Sequence, residues 1–349
     1  MRGRGRAGRR IAVQLAFVIP LLTAAVGSFA RDKTDIVTLD NGDRITGEII
    51  ELEHGQLQLK TDALGTVLIE WPRVAGLSSS VVFMVEHLGG QNDYGQLSGG
   101  DGRLIVDDDG HMVELPLSDV ARLGPVQDSF LARVRGSTSL GTNYAKATGI
   151  KVSSLRFDAE YRGRDTLATL SVAADVTSSP DASTNQRLLV DFSDRFLLEG
   201  TRFWAVLGSF ERNPDMGIDG RPQAGIAIGQ SLHRTPDSDF VAYVGLAVNR
   251  ESVDESGQDR TNGLAVAGLD WRIYRFTLPE TTLTSGLQVF PNISDFGRVR
   301  ARLNVALTHK FTRSFTFNIS LYDDYDNRPP GTRVITNDYG IVTGLGYTF

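Results

Sequence analysis

Cysteine is absent from all 349 residues, which excludes a disulfide framework and any thiolate metal site. Histidine is scarce. His54, His87, His111, His233 and His309 are the only five, and none stands at metal-ligand spacing with another, so no zinc or iron centre is expected. Past residue 30 no apolar run approaches the ~20 residues of a spanning helix. Any membrane-embedded form of the remaining chain must therefore be a closed barrel, which alone satisfies strand hydrogen bonds in lipid. Excess positive charge is lacking too: 36 Lys and Arg face 42 Asp and Glu, and nucleic acid is not an expected partner. Glycine is plentiful instead, 37 residues against a usual ~7%, and together with a mean hydropathy of -0.14 it points to a folded chain of many strands and turns.

The one long apolar run lies at the N-terminus. Arg2, Arg4, Arg6, Arg9 and Arg10 form a basic start, Ile11 to Val26 an apolar stretch broken by Pro20, and Ser28-Phe29-Ala30 a small-x-small cleavage pattern. The run is short for a membrane anchor, so residues 1–30 read as an export signal cut after Ala30. Removal takes five arginines and no acid, shifting the net charge from -6 to about -11.

Residues 31–126 form a first unit with an internal repeat. Gly47-Glu48-Ile49 is answered by Gly95-Gln96-Leu97, the GQLQLKTDALG segment at 55–65 by GRLIVDDDG at 102–110, and Val74-Ala75-Gly76-Leu77 by Val120-Ala121-Arg122-Leu123. Alternation at Ile45, Gly47 and Ile49, with the turn signal Asn41-Gly42, suggests small SH3-like or Sm-like barrels.

Residues 127–349 form a second unit, with about twelve alternating segments. Phe315, Phe317, Ile319 and Leu321 interleave with Thr316, Asn318, Ser320 and Tyr322; Val299, Ala301, Leu303, Val305 and Leu307 interleave with Arg298, Arg300, Arg302, Asn304 and Thr308. Successive strand side chains face opposite ways, so each segment carries one apolar and one polar or small face. A soluble sandwich has the same period. Two features favour an outer-membrane barrel. Short turns at 162–164, 199–200, 274–276 and 312–314 interleave with longer connections at 178–185, 212–222, 251–261 and 326–338. The chain also ends on Gly344, Tyr347 and Phe349, the Gly-x-x-aromatic-x-aromatic pattern by which barrel-assembly machinery recognises clients, read physically as β-augmentation by an exposed last strand. The expected fold is all-β: an antiparallel transmembrane barrel of about twelve strands, preceded by the small module.

The C-terminal stretch RSFTFNISLYDDYDNRPPGTRVITNDYGIVTGLGYTF carries an alternating strand running into Asp324-Tyr325-Asp326-Asn327, then Pro329-Pro330, Asp338 and a final Gly-Tyr-x-Phe strand. It resembles the YdiY-like outer-membrane protein family, DUF481, also called salt-induced. The resemblance covers the barrel. It implies an outer-membrane location, with the N-terminal module in the periplasm, and no settled activity. Members often open with a Gly-Asn-Thr turn where this chain has Gly141-Thr142-Asn143.

Catalysis is not expected. His309 falls on the lipid-facing parity, flanked by Thr308 and Lys310, with no serine placed for a Ser-His hydrolase. No metal and no cofactor are implied; the acidic loops at 213–223 and 254–260 lack calcium-ligand spacing. The polar parity is the informative one. Arg298, Arg300 and Arg302 on one strand, Asp270 and Arg272 on another, Arg133 and Arg135 on the first, Arg156, Asp158 and Glu160 on the second, and Asp191 and Arg195 on the fourth all project into the lumen. Such charges persist only if hydrated or paired. Two readings stay open: a passive channel with a basic wall for small anionic solutes, or a lumen plugged by salt bridges in a structural or envelope-stress protein. In the second, residues 35–125 engage a periplasmic partner or the cell wall. Membrane lipid and, during biogenesis, the assembly machinery are the other expected partners. N-terminal sequencing of the exported protein should begin at Arg31; an intact Met1 in the membrane fraction would instead indicate a retained anchor.

Overall fold

The computed structural model describes residues 33–126, 134–145, 149–163, 165–180, 182–198, 200–252, 259–275, 280–312, 314–330 and 335–348. Residues 1–30 lie outside them, as do Arg133 and Phe349.

Nine short strands come first: β1 (Asp35–Leu39), β2 (Arg44–Glu53), β3 (Gln56–Lys60), β4 (Thr66–Glu70), β5 (Val74–His87), β6 (Asn92–Ser98), β7 (Arg103–Asp108), β8 (His111–Pro116) and β9 (Val120–Pro125). The two copies of the repeat do not build two separate barrels. They share the long strand β5, which pairs with β1 through its first half and with β6 and β9 through its second. β9 returns to β2 at Leu52↔Leu123, so β1, β2, β9 and β5 close a small ring. Equivalent positions fill one core: Ile49 and Leu97, Leu57 and Leu104, Ile69 and Leu115, Val74 and Val120, Leu77 and Leu123 are all buried. The short 3-10 turns Trp71–Arg73 and Leu117–Asp119 occupy equivalent places. They meet where the Trp71 indole N–H donates to the Leu117 carbonyl at 2.8 Å.

Gly47 and Gly95 are the repeat's tight points. A Cβ on Gly47 would lie 2.8 Å from the Lys60 carbonyl oxygen, and one on Gly95 2.5 Å from the Asp107 backbone. Any side chain there separates β2 from β3, or β6 from β7.

Twelve longer strands follow: β10 (Val134–Ala145), β11 (Ile150–Arg162), β12 (Thr166–Ser179), β13 (Ala182–Leu197), β14 (Arg202–Asn213), β15 (Ile218–Thr235), β16 (Ser238–Glu251), β17 (Arg260–Arg275), β18 (Glu280–Pro291), β19 (Val299–Lys310), β20 (Phe315–Asp326) and β21 (Asn337–Thr348). Each pairs antiparallel with its neighbours and β21 closes on β10, from Ser137↔Thr348 to Leu140↔Leu345. Closure pairs each described strand with a neighbour on both sides, the β10–β21 seam through four residues, and so leaves no edge strand. Gly141-Thr142-Asn143 is not a turn; it runs inside the β10–β11 ladder. The expected long connection at 178–185 is also a strand hairpin, since β12 and β13 continue to Ser179↔Ala182. The Asn213–Ile218 link is equally compact, a single 3-10 turn over Pro214–Met216. Both ends of the barrel chain lie on the side of the short turns.

The outer wall is apolar. On β16, Val244, Leu246 and Val248 are more than half exposed, while Tyr243, Ala247 and Asn249 between them are buried inward. From Phe240 to Val248 the outward row covers roughly 27 Å of strand, about 20 Å along the axis at the usual ~40° tilt, near the ~25 Å apolar band of membrane barrels. Aromatic pairs ring the short-turn end: Phe196 stacked on Trp204 at 4.0 Å, Phe240 edge-on to Trp271 at 6.3 Å, Phe315 edge-on to Tyr347 at 5.9 Å. This is an interfacial girdle. The inner wall is not uniformly polar. Phe203, Tyr243, Leu264 and Phe290 form an apolar patch across β14 to β18. Here the ring of Tyr243 lies flat over Gly268, and its hydroxyl accepts from Gln288 Nε2 at 2.7 Å. Gly95→Val should destabilise the module by about 1–3 kcal/mol while the barrel keeps its heat-modifiable mobility on gels; equal loss of both would show that the two fold as one.

Candidate functional site

Alternation sends Arg298, Arg300 and Arg302 inward at the long-loop end of β19, where each meets carboxylates from other strands. Arg298 reaches Glu251 at 2.7 Å and Asp326 at 2.6 Å. Arg300 lies 3.7 Å from Glu211 and donates to Gln223 at 2.8 Å. Arg302 contacts Glu211 at 3.1 Å, Asp191 at 3.2 Å and Asp324 at 3.2 Å. Arg221 joins Glu211, Glu251 and Asp326 from β15. Arg187 on β13 bonds Asp324 on β20, with Asp175 and Asp338 beside it and Tyr322 beneath its guanidinium, and Arg156 shares Asp175 at 2.9 Å. None of these partners was singled out by the alternation except Asp191; Glu211, Glu251, Asp324 and Asp326 stand on the inward parity, but only the closed barrel brings them to the arginines.

β13 and β20 lie on nearly opposite sides of the twelve-strand ring, so the Arg187–Asp324 pair spans the lumen. The pairs β19–β14, β19–β16 and β15–β20 cross it as well. Side chains of Arg298, Arg302, Glu251 and Asp326 are at most 6% exposed. The 3-10 turn drops Met216 onto the layer, and the space left among Glu211, Met216, Arg221, Phe290 and Arg300 measures about 10 Å³, at or below the room one water needs. An isolated charge here would carry a penalty of several kcal/mol, which mutual pairing offsets.

Below the layer the lumen is wetter. Glu160 and Arg272 pair loosely at 3.5 Å with side chains 31% and 38% exposed, and Asp270, bound to Arg195 at 2.8 Å, is 29% exposed. Asp158 accepts from Ser171 at 2.7 Å. Toward the short turns these inward groups therefore keep partial solvent access. Tyr347 faces outward and Gly344 inward on β21.

The N-terminal module sits against that short-turn end. Glu86 on β5, 1% exposed, bridges Arg162 of β11 and Arg234 of β15. Glu51 and Glu53 on β2 hold Arg135 at the start of β10. The His54 ring lies 3.7 Å from that of Tyr274 at the end of β17. Gly55 packs on Pro236 in the β15–β16 turn, and Gly90 on Gly200 in the β13–β14 turn. A cleft of about 350 Å³ remains beside this seat, between Asp165 and Asn92, Asp93, Asp108 and His111. Arg135 was read as lumen-facing; its guanidinium belongs to this contact instead. Sequence reasoning had no signal for Glu86, because a lone acid at a strand end looks solvated.

Burial raises the Glu86 carboxyl, but Arg162 and Arg234 outweigh it and hold the group below its ordinary range. Burial likewise opposes ionisation of Glu53, which Arg122 and Arg135 bring down to about 2. Burial pushes His54 down to about 4 despite Glu53, with Arg122, Arg272 and Arg135 adding to the depression.

A family model described as a protein of unknown function, DUF481, matches residues 146–349. No curated protein matches the sequence. Among solved structures, the NanC porin is 10% identical over 62% of this chain and 98% of its own, with a TM-score of 0.39. The translocator domain of the autotransporter NalP from Neisseria meningitidis is 14% identical over 62% and 87%, TM-score 0.35. The β domain of the Bordetella autotransporter BrkA is 12% identical over 62% and 97%, TM-score 0.33.

The depressed groups set a pH dependence. The docked protein refuses protons that the unfolded chain accepts, so stability is complete near neutrality. It weakens as pH falls from 6.5 through about 4 for His54 and from 4.5 through about 2 for Glu53. Thermal midpoints measured from neutrality down to about pH 4 should therefore fall in the native chain and fall less in His54→Gln; parallel curves would remove His54 from the account.

Proposed function

We propose that this chain, which belongs to the DUF481 family of proteins of unknown function, is an outer-membrane barrel that does not conduct and that holds its β module at the periplasmic face. The observation that carries the reading is the ion-paired layer reaching across the lumen from β13 to β20 and from β19 to β14 and β16. A basic wall selective for anions requires guanidinium groups free to exchange partners with solute. Here Arg298 and Arg302 are held by fixed carboxylates, and Arg300 donates to the Gln223 amide oxygen with Glu211 3.7 Å away. The membrane assignment is supported by closure without a free edge, by the apolar outer wall and by the aromatic girdle. The periplasmic side is the side of the short turns, where the chain enters the barrel.

Purified protein lacking residues 1–30, folded and heat-modifiable, should give no stable conductance steps in planar bilayers. Replacing Arg298, Arg300 and Arg302 together with Ser leaves Glu211, Glu251 and Asp326 to share Arg221 alone, and should open cation-preferring steps. Stable anion-preferring steps from the unmodified protein, reduced in the triple variant, would make it a channel and overturn the reading.

A further inference from the structure

The seat of the module has a chemistry of its own. Its contacts fall on the start of β10, the ends of β11, β15 and β17, and the β13–β14 and β15–β16 turns. Those points run around much of the short-turn rim, directly below the part of the lumen where Glu160, Arg195, Asp270 and Arg272 keep solvent access. Domains that are permanently fused usually bury a broad apolar face. Among the described residues, the contacts named here are instead ion pairs, one tilted ring contact and two glycine contacts. The apolar core of the module is complete within residues 37–123 without any barrel residue, so lifting it off exposes little hydrophobic surface.

We infer that the module is a lid over the short-turn mouth of the barrel, with Glu86 as the residue that seats it. Glu86 is the one carboxylate among those contacts that binds two barrel elements at once, Arg162 from β11 and Arg234 from β15. Released, all three side chains return to water, which keeps the free energy difference between seated and lifted states small compared with that of burying an unpaired charge. The chamber beneath would then be a compartment with two closures of different kinds. The arginine layer closes it toward the long loops, where pairs from opposite walls are desolvated. The lid closes it toward the periplasm, where Glu86 is buried between Arg162 and Arg234 while Arg135 stays 43% exposed.

The absence of cysteine makes the test direct. Gly55→Cys with Pro236→Cys places two thiols where the Cβ of residue 55 is 3.3 Å from that of residue 236, within reach of a disulfide after a small adjustment. Ser193→Cys, on the inward parity of β13 beside Thr169, reports access to the chamber through its reaction with a polyethylene-glycol maleimide applied to the folded full-length chain. The rate should rise at least about tenfold on Glu86→Ala, drop when the 55–236 disulfide is formed in that same background, and recover on reduction. A folded barrel in which Glu86→Ala leaves the rate unchanged, or in which the formed disulfide does not lower it, overturns the lid. Bilayer conductance reads the arginine layer independently, so a leaking layer under a seated module and a tight layer under an unseated one give different pairs of results.

Discussion

Charge pairing across the lumen is the interaction on which the rest of this structure depends. A barrel wall with an apolar exterior pushes every charged side chain inward, into a space where a lone guanidinium or carboxylate is costly. The chain places its arginines on β11, β13, β15 and β19 and its acids on β12, β13, β14, β16, β20 and β21, so each charge finds its partner on another strand and often on the opposite wall. The consequence is mechanical as well as electrostatic. Pairs such as Arg187–Asp324 and Arg298–Glu251 tie strands that share no ladder hydrogen bonds, and the same ties that neutralise the lumen fill it.

The layer is not spread evenly along the axis. Toward the long loops the side chains are desolvated and capped by Met216; toward the short turns the pairs Glu160–Arg272 and Arg195–Asp270 are longer or wetter. Between the two, the apolar patch around Tyr243 and Phe290 shields one wall and sets the guanidinium groups of Arg300 and Arg302 over an aromatic ring. The module meets the wetter end with its own carboxylates. Its acids at Glu51, Glu53 and Glu86 complement Arg135, Arg162 and Arg234, so the same device that closes the barrel internally also joins the two parts of the chain.

The module itself follows from duplication. Two copies of a three-strand unit, each ending in a 3-10 turn and a further strand, share β5 and bury equivalent residues in one core. Neither copy has enough apolar surface to bury alone, which is why the outcome is a single ring with extended sheets rather than two small barrels.

Period-two alternation over residues 299–307 and 315–321 determined by itself that these segments are strands and that Arg298, Arg300 and Arg302 share one face, because strand geometry leaves only two directions for a side chain. The turn residues and the closing aromatic strand were equally local, and with them came a barrel of about twelve strands. What alternation could not carry is who meets whom across the lumen. Glu211 and Arg302, or Arg187 and Asp324, are separated by 91 and 137 residues, and their meeting depends on strand number and closure, which no local period encodes. For the same reason, Glu86 reads as an ordinary charge along the chain, and Arg135 as one more lumen-facing residue. Only the tertiary structure, by setting one end of the barrel against the module, decided that they form its seat.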